Sequence, residues 1–513
     1  MKLKTLATAM ILASVPMTGA FAAAMDRSGQ SMSAFLQPGN YFEAGISVLD
    51  PTVSGKEAGE TATRRNIEDM ADDYYFPSAA LKLQLTDKFS FGLLYDQPFG
   101  AAAEYKGNNA FVSQASDTVL PQPLLDSMVR NEVTQTLNQL TSTQIVGLAA
   151  QGLLAQQGMS PTNPAYNATL QATVTGIITQ AGGNVDTAAA AVRPQVEAGA
   201  FTQGQQQLQQ RLDNAGVALG QGNTKVSVDT QNLAFVFGFQ PTPNWNIYAG
   251  PVYQTVKGSV SLRGQGYSIF NGYDSNIKET GDLGWLAGVA YQIPEIALKA
   301  SLTYRSEIDH ETTIRETIPT AGALTLLGQN PADVVEAKGT STITTPQSVN
   351  LDFQSGIMAD TVAFANVRWV EWSNFAIRPY QFGLMSEAVG QLPAVNRPNG
   401  FNLVEYSEDQ ISATVGVGRK LSEQWAGNVS VGWDSGAGNP VSTLGPTEGY
   451  WNVGLGLQFS PAPNYFIAGG VKYFMLGDAK SQTAAQFGED SRIVGEFEDN
   501  DAWAYGLKIG YRF

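Results

Sequence analysis

Cysteine is absent from the 513 residues. Disulfides, thiolate metal sites and cysteine nucleophiles are therefore excluded. Histidine occurs once, as His310 in "EIDHETT". No serine motif accompanies it, so a nucleophile–histidine pair has no second member. Glu307, Asp309 and Glu311 around it form a generic carboxylate set, and we assign no catalytic residue, metal site or cofactor from them. Charge is also scarce, at 15% of residues against roughly 25% in soluble proteins. The net charge of −16 argues against a nucleic-acid partner. After the N-terminus no run of some twenty apolar residues appears, so no transmembrane helix is predicted.

What the chain does have begins with its leader. "MKLK" is a cationic start, Leu6 to Val15 is a short apolar stretch, and Ala20-Phe21-Ala22 and Ala22-Ala23-Ala24 offer small-x-small cleavage sites. These predict a secretory signal over 1–22, and hence a secreted, periplasmic or outer-membrane protein. Removing Lys2 and Lys4 makes the mature chain more acidic still.

Period-two alternation then recurs along the chain. "DAWAYGLKIGYRF" places Trp503, Tyr505, Leu507, Ile509, Tyr511 and Phe513 on one face and Ala504, Gly506, Lys508, Gly510 and Arg512 on the other. "YWNVGLGLQF", "WAGNVSVGW", "ALKASLTYR", "ALKLQL" and "NLAFVFGF" repeat the pattern. Such alternation marks half-buried β-strands. The second faces hold Gly, Ser, Asn, Lys and Asp, too polar for one packed core. Aromatics such as Trp245, Trp369, Trp433, Trp451 and Trp503 stand near the ends of the apolar faces, as interfacial girdles do.

Connections alternate between short ("TDK", "TPN", "IPE", "MAD", "SEQ", "PAPN") and long. Lipid tolerates no unpaired strand edge, so the sheet must close. The fold expected is an all-β transmembrane barrel of about 14 antiparallel strands, with short periplasmic turns and long extracellular loops. The last strand should pair with the first, near "YFEAGISVL" at 41–49. Ending on Phe513 suggests a contact with the barrel-assembly machinery, and the setting adds outer-membrane lipid and lipopolysaccharide as surroundings. A monomer is expected.

Residues 113–222 break the pattern. "LLDSMVRNEVTQTLNQL" sets Leu124, Leu125, Met128, Val129, Val133, Leu137 and Leu140 at helical spacings. A second helical stretch runs around Pro194. The expected organisation is signal 1–22, a short lumenal hatch 23–40, barrel strands one to three over 41–112, an α-helical insert in the second extracellular loop over 113–222, and strands four to fourteen over 223–513.

Several segments resemble the FadL/TodX family of outer-membrane transporters. They are "GDLGWLAGVAYQIPEIALKASLTYRSEI", "WNIYAGPVYQTVKGSVSLRG", "VRWVEWSNF" and the last three strands in order. The likeness runs from about Phe76 onward, omitting the insert. It implies a fourteen-stranded barrel plugged by an N-terminal hatch, passing fatty acids or other hydrophobic compounds passively and releasing them sideways through a kink in the third strand. Two features depart from the family pattern: the hatch is short, and its usual Asn-Pro-Ala motif is missing there, with copies at Asn163–Ala165 and Asn330–Ala332 instead.

Carried onto this chain, the hatch is "AAMDRSGQSMSAFLQPGN". The lateral gate falls on Asp96, Pro98, Phe99 and Gly100, where proline cannot donate to a ladder and glycine weakens it. Met25, Phe35, Leu36 and Leu94 are the pocket candidates. Lys257, Lys299 and Arg305 are the candidates to meet an anionic head. The competing readings are a general diffusion porin, suggested by polar inward faces, and a surface adhesin using the insert.

Overall fold

The computed structural model describes residues 24–59, 64–392, 395–486 and 492–513. The signal predicted over 1–22, and Ala23 of the hatch, lie outside the described residues.

Fourteen strands form the wall. The first seven are β1 (Tyr41–Thr52), β2 (Tyr74–Gln84), β3 (Phe89–Asp96), β4 (Lys225–Thr242), β5 (Trp245–Ser261), β6 (Asp274–Ile293) and β7 (Leu298–Arg305). The others are β8 (Ser348–Met358), β9 (Thr361–Val370), β10 (Gln410–Lys420), β11 (Trp425–Asp434), β12 (Glu448–Ala462), β13 (Tyr465–Gly477) and β14 (Asp501–Arg512). Neighbours in sequence are neighbours in the sheet, all antiparallel, and β1 closes on β14 from Tyr41↔Arg512 to Thr52↔Asp501. Two short strands, Gly100–Glu104 and Ile314–Thr317, extend the same sheet.

The alternation is realised as the sequence requires. In β14, Trp503, Tyr505, Leu507, Ile509 and Tyr511 face out, while Ala502, Ala504 and Lys508 are buried inside. Outer aromatics pair across strands near both rims. Trp245 with Tyr291, Trp425 with Phe459 and Phe89 with Phe239 lie near the short turns. Tyr473 with Trp503 and Trp285 with Tyr304 lie near the long loops. Trp503 and Tyr511 are eight residues apart. At ~3.3 Å per residue and a tilt of about 40°, that spans ~20 Å of membrane normal.

The long loops cover the far end. Between β3 and β4 stand α1 (Gln122–Asn138), α2 (Ser142–Gln156), α3 (Tyr166–Gln180) and α4 (Val185–Asn214). They share a small core of Leu137, Ile145, Val146, Ala149, Ala188, Ala189 and Val196. Thr141 closes a capping box with Gln144 at the start of α2, and Asn184 caps α4. Leu125 and Val129 of α1, with Leu208 and Leu212 of α4, join the insert to the core above the barrel. Helix α5 (Tyr380–Gly390) lies in the loop between β9 and β10; Glu316 accepts its Gln381 and Phe382 N–H groups, each at 2.8 Å.

Residues 24–40 fill the lumen. Met32, Ala34, Phe35 and Leu36 pack against Tyr41, Leu94, Val236 and Tyr248. Phe35 needs glycine on the wall: a Cβ at Gly238 would sit 2.8 Å from its ring, and Gly92 has no room for one either.

Candidate functional site

The plug is held by its backbone oxygens and by one ion pair. Arg368 on β9 donates to Asp26 at 2.6 Å, with both side chains almost wholly buried. The same guanidinium reaches Asn350 Oδ1 at 2.6 Å and Gln30 Oε1 at 3.1 Å. Asn350 donates to the Gly29 carbonyl at 2.7 Å, and Arg305 to the Gln30 carbonyl at 3.0 Å. Lower down, Lys299 holds the Leu36 carbonyl at 2.8 Å, and Lys82 holds those of Gln37 and Gly39, each at 2.9 Å. Cations aimed at carbonyls fix a chain that has no regular structure of its own to satisfy them.

Strand β3 breaks where the sequence places its weak point. Asp96 pairs with Asn232, and pairing resumes at Gly100 with Asp229, so Gln97–Phe99 face two residues of β4 as a bulge. On the other side the ladder between β2 and β3 stops at Ala79↔Tyr95. β2 still pairs with β1 as far as Tyr74, so Tyr74–Ser78 has β1 on one edge and no ladder to β3 on the other. Above the gap, an Ala71↔Ala103 bridge and the Tyr74 hydroxyl, which donates to the Ala102 carbonyl at 2.7 Å, rejoin the edges.

The hatch takes the place of the missing neighbour. Asp26 and Phe99 form a β-bridge; Arg27 N–H donates to the Pro98 carbonyl at 2.6 Å and Gly100 N–H to the Met25 carbonyl at 2.9 Å. Ser28 Oγ is hydrogen-bonded to Asp96. The Phe99 ring turns inward and packs edge-on against the buried Trp372.

Two cavities flank this junction. Above it, a cavity has Met25, Asp26 and Arg27 as floor, the Gly100–Ala103 segment, Val226, Val228, Val260 and Ile277 as wall, and Leu403, Val404, Tyr406 and Leu444 as roof. Beside it, a second, smaller cavity opens among Ser28, Glu43, Pro77, Ser78, Leu94, Asp96 and Gln97, next to the stretch of β2 that has no ladder to β3. The upper space is apolar because inward residues change character with height. On β4, Asn232 and Gly238 line the lower wall and Val226 and Val228 the upper, all on the same face. Burial lowers the Arg27 guanidinium to about 10, partly offset by Tyr74 and Asp229.

The gate candidates Asp96, Pro98, Phe99 and Gly100 therefore sit together at the break. Among the pocket candidates, Met25 lines the upper cavity, Leu94 the side cavity, and Phe35 and Leu36 the plug interior. Of the cation candidates, Lys299 and Arg305 are engaged with the hatch. Lys257, expected to face inward, faces out: it is half exposed and stands 4.0 Å from Asp229 on the outer face. The reason is the alternation of β5, in which Val252, Gln254 and Val256 take the inward positions. Sequence reasoning missed Asp26, Arg27, Tyr74 and Arg368. The adjacent Asp-Arg in an otherwise uncharged plug was the available signal.

No curated protein matches the chain by sequence. Among solved structures, a Pseudomonas aeruginosa FadL homologue aligns with a TM-score of 0.55 at 12% identity, covering 94% of this chain and 92% of that one. A deltaS2S3 mutant of the monoaromatic hydrocarbon channel TodX gives 0.50 at 10% identity, covering 96% and 99%. These likenesses speak for the barrel fold. A family model described as outer membrane protein transport protein (OMPP1/FadL/TodX) matches residues 199–513, more than half of the chain; the chain belongs to this family of outer-membrane channels, and it is a transporter of hydrophobic compounds rather than an enzyme.

Proposed function

We propose that this barrel takes up long-chain fatty acids or comparable hydrophobic molecules passively, and releases them sideways through the gap between β2 and β3. The solute enters from the long-loop side, which faces outward, beside the α1–α4 insert. It is captured in the upper cavity, passes the hatch junction, crosses the side cavity and leaves into the membrane. Burying an alkyl chain supplies roughly 25 cal/mol per Å² of apolar area, several kcal/mol in all, which meets association costs at micromolar affinity.

One observation supports this reading: the wall ladder is missing over Tyr74–Ser78, and the facing end of β3 is hydrogen-bonded to the hatch segment rather than to another strand. Opening there requires no rupture of a strand ladder. A water-filled porin is disfavoured because the lumen at that level is packed with hatch side chains.

Ser78 faces the side cavity, so Ser78→Trp fills it from the wall. Cells carrying S78W as their sole channel of this kind should take up labelled oleate about tenfold or more slowly, a decade corresponding to ~1.4 kcal/mol. Folded barrel should stay at wild-type level, judged by heat-modifiable migration. Undiminished uptake through folded S78W rules out the sideways route.

A further inference from the structure

The segment Gly100–Glu104 has β4 on one edge, where Gly100, Ala102 and Glu104 stand opposite Asp229, Ser227 and Lys225. The N–H groups of those three residues point to the other edge, across the seam towards β2, and each finds a different kind of partner. Gly100 N–H goes to the hatch, at the Met25 carbonyl, and Glu104 N–H to the Met70 carbonyl at 2.8 Å in the β1–β2 connection. Ala102, between them, has a side chain in place of a strand neighbour. Its N–H donates to the Tyr74 hydroxyl at 2.6 Å, and that hydroxyl donates to the Ala102 carbonyl at 2.7 Å. One phenol thus supplies both the acceptor and the donor of a ladder rung. Asp72 N–H adds a longer bond to the same carbonyl, at 3.4 Å. The ring is backed from the lumen by Arg27, whose guanidinium lies flat on it with Cζ 3.5 Å from the centroid. Gly100 leaves room for this, since a Cβ there would stand 2.6 Å from Nη1.

The place of this contact gives it a role. Tyr74 tops the stretch of β2 that has no ladder to β3, and the side cavity lies beside that stretch. Tyr74, Ala71 and Gly100–Ala103 also line the upper cavity. Without the hydroxyl, the gap would run on past Tyr74 to the Ala71↔Ala103 bridge, roughly 10 Å further along the strand. We propose that Tyr74 is a specificity-determining residue of the channel: its hydroxyl clasps the seam and limits the height of the sideways opening, so that slim, flexible chains pass and broad, rigid ring systems are held back. This rests on the sideways-release reading above and narrows its substrate class. A gap that ends at Tyr74 borders the side cavity, whereas an unclasped seam would border both cavities. An alkyl chain threads the shorter opening end-on; a fused-ring solute has to present its full width.

The test reads the clasp and the selectivity separately, on the full chain. Tyr74→Phe keeps the ring under Arg27 and removes only the hydroxyl. In lipid nanodiscs the Ala102 amide should exchange about tenfold faster in Y74F, with the β4–β5 ladder unaltered. In cells carrying the protein as their sole channel of this kind, the ratio of pyrene uptake to oleate uptake should rise about fivefold or more, after subtraction of the rates in channel-less cells. Tyr74→Trp offers a donor and no acceptor, so it should fall between the two; it also serves if Y74F assembles poorly. Unchanged exchange at Ala102 overturns the clasp. So does an unchanged uptake ratio where exchange has risen, or a wild type that passes pyrene as readily as oleate. Each of these leaves the sideways route standing as long as S78W slows oleate. Undiminished oleate uptake through folded S78W removes the route and the clasp together.

Discussion

Asp26→Asn tests what holds the hatch. The wild-type carboxylate is bound by Arg368 at 2.6 Å, and both side chains are buried. Removing one partner of a buried pair costs about 3–5 kcal/mol. The guanidinium keeps Asn350 Oδ1 at 2.6 Å, Gln30 Oε1 at 3.1 Å and Ser348 Oγ at 3.3 Å, and asparagine still offers an acceptor, so the loss falls near ~3 kcal/mol. Nearly all of it acts on the docked hatch, because the wall strands keep their ladders in either state. At ~1.4 kcal/mol per decade, the undocked fraction rises about a hundredfold. The amides to follow are Arg27 and Gly100, which bond the Pro98 and Met25 carbonyls. Their hydrogen exchange should accelerate by about that factor in D26N, with brief conductance events in planar bilayers. R368Q should act alike, and D26N/R368Q should cost less than the sum of the two. Unchanged exchange at Arg27 and Gly100 in folded D26N refutes the ion pair as the anchor.

Phe35→Ala empties the space framed by Gly92, Gly238 and Tyr248; a loss of about 3–5 kcal/mol should make the hatch protease-sensitive while the barrel stays heat-modifiable, and a protected hatch counts against Phe35 as the plug's anchor. Glu316→Ala removes the acceptor for the first N–H groups of α5. That should cost about 1–2 kcal/mol and speed proteolysis within 376–405, and an unaltered cleavage rate would deny Glu316 a capping role.

The wall was readable because lipid outside and hatch inside impose opposite demands on alternate residues. Trp503, Leu507 and Ile509 against Ala504 and Lys508 could be assigned without any partner strand in view. The insert helices were readable from Leu125, Val129 and Leu137, although proline at 194 sits within the continuous helix α4. The short cap strands, such as Gly55–Glu57 and Gly495–Phe497, were hidden in loops, since three residues show no period, and helix α5 was passed over inside a long connection. The break in β3 stood out as Pro98 and Gly100 within an apolar strand. The upper cavity did not, because Val228, Leu403 and Leu444 come from distant segments and each reads locally as ordinary packing. Arg27 escaped notice for a related reason: nothing near it in sequence foretells its seat on Tyr74.

The bridge between Asp26 and Phe99 makes the hatch a stave of the wall as well as a stopper. Without it, Pro98–Gly100 would lose their hydrogen-bonded neighbour on the side away from β4, while Ala102 and Ala103 would keep theirs in Tyr74 and Ala71. A chain trimmed of this segment should therefore behave as a cask with a sprung seam, weakened in its side, rather than as a clean pipe of full bore.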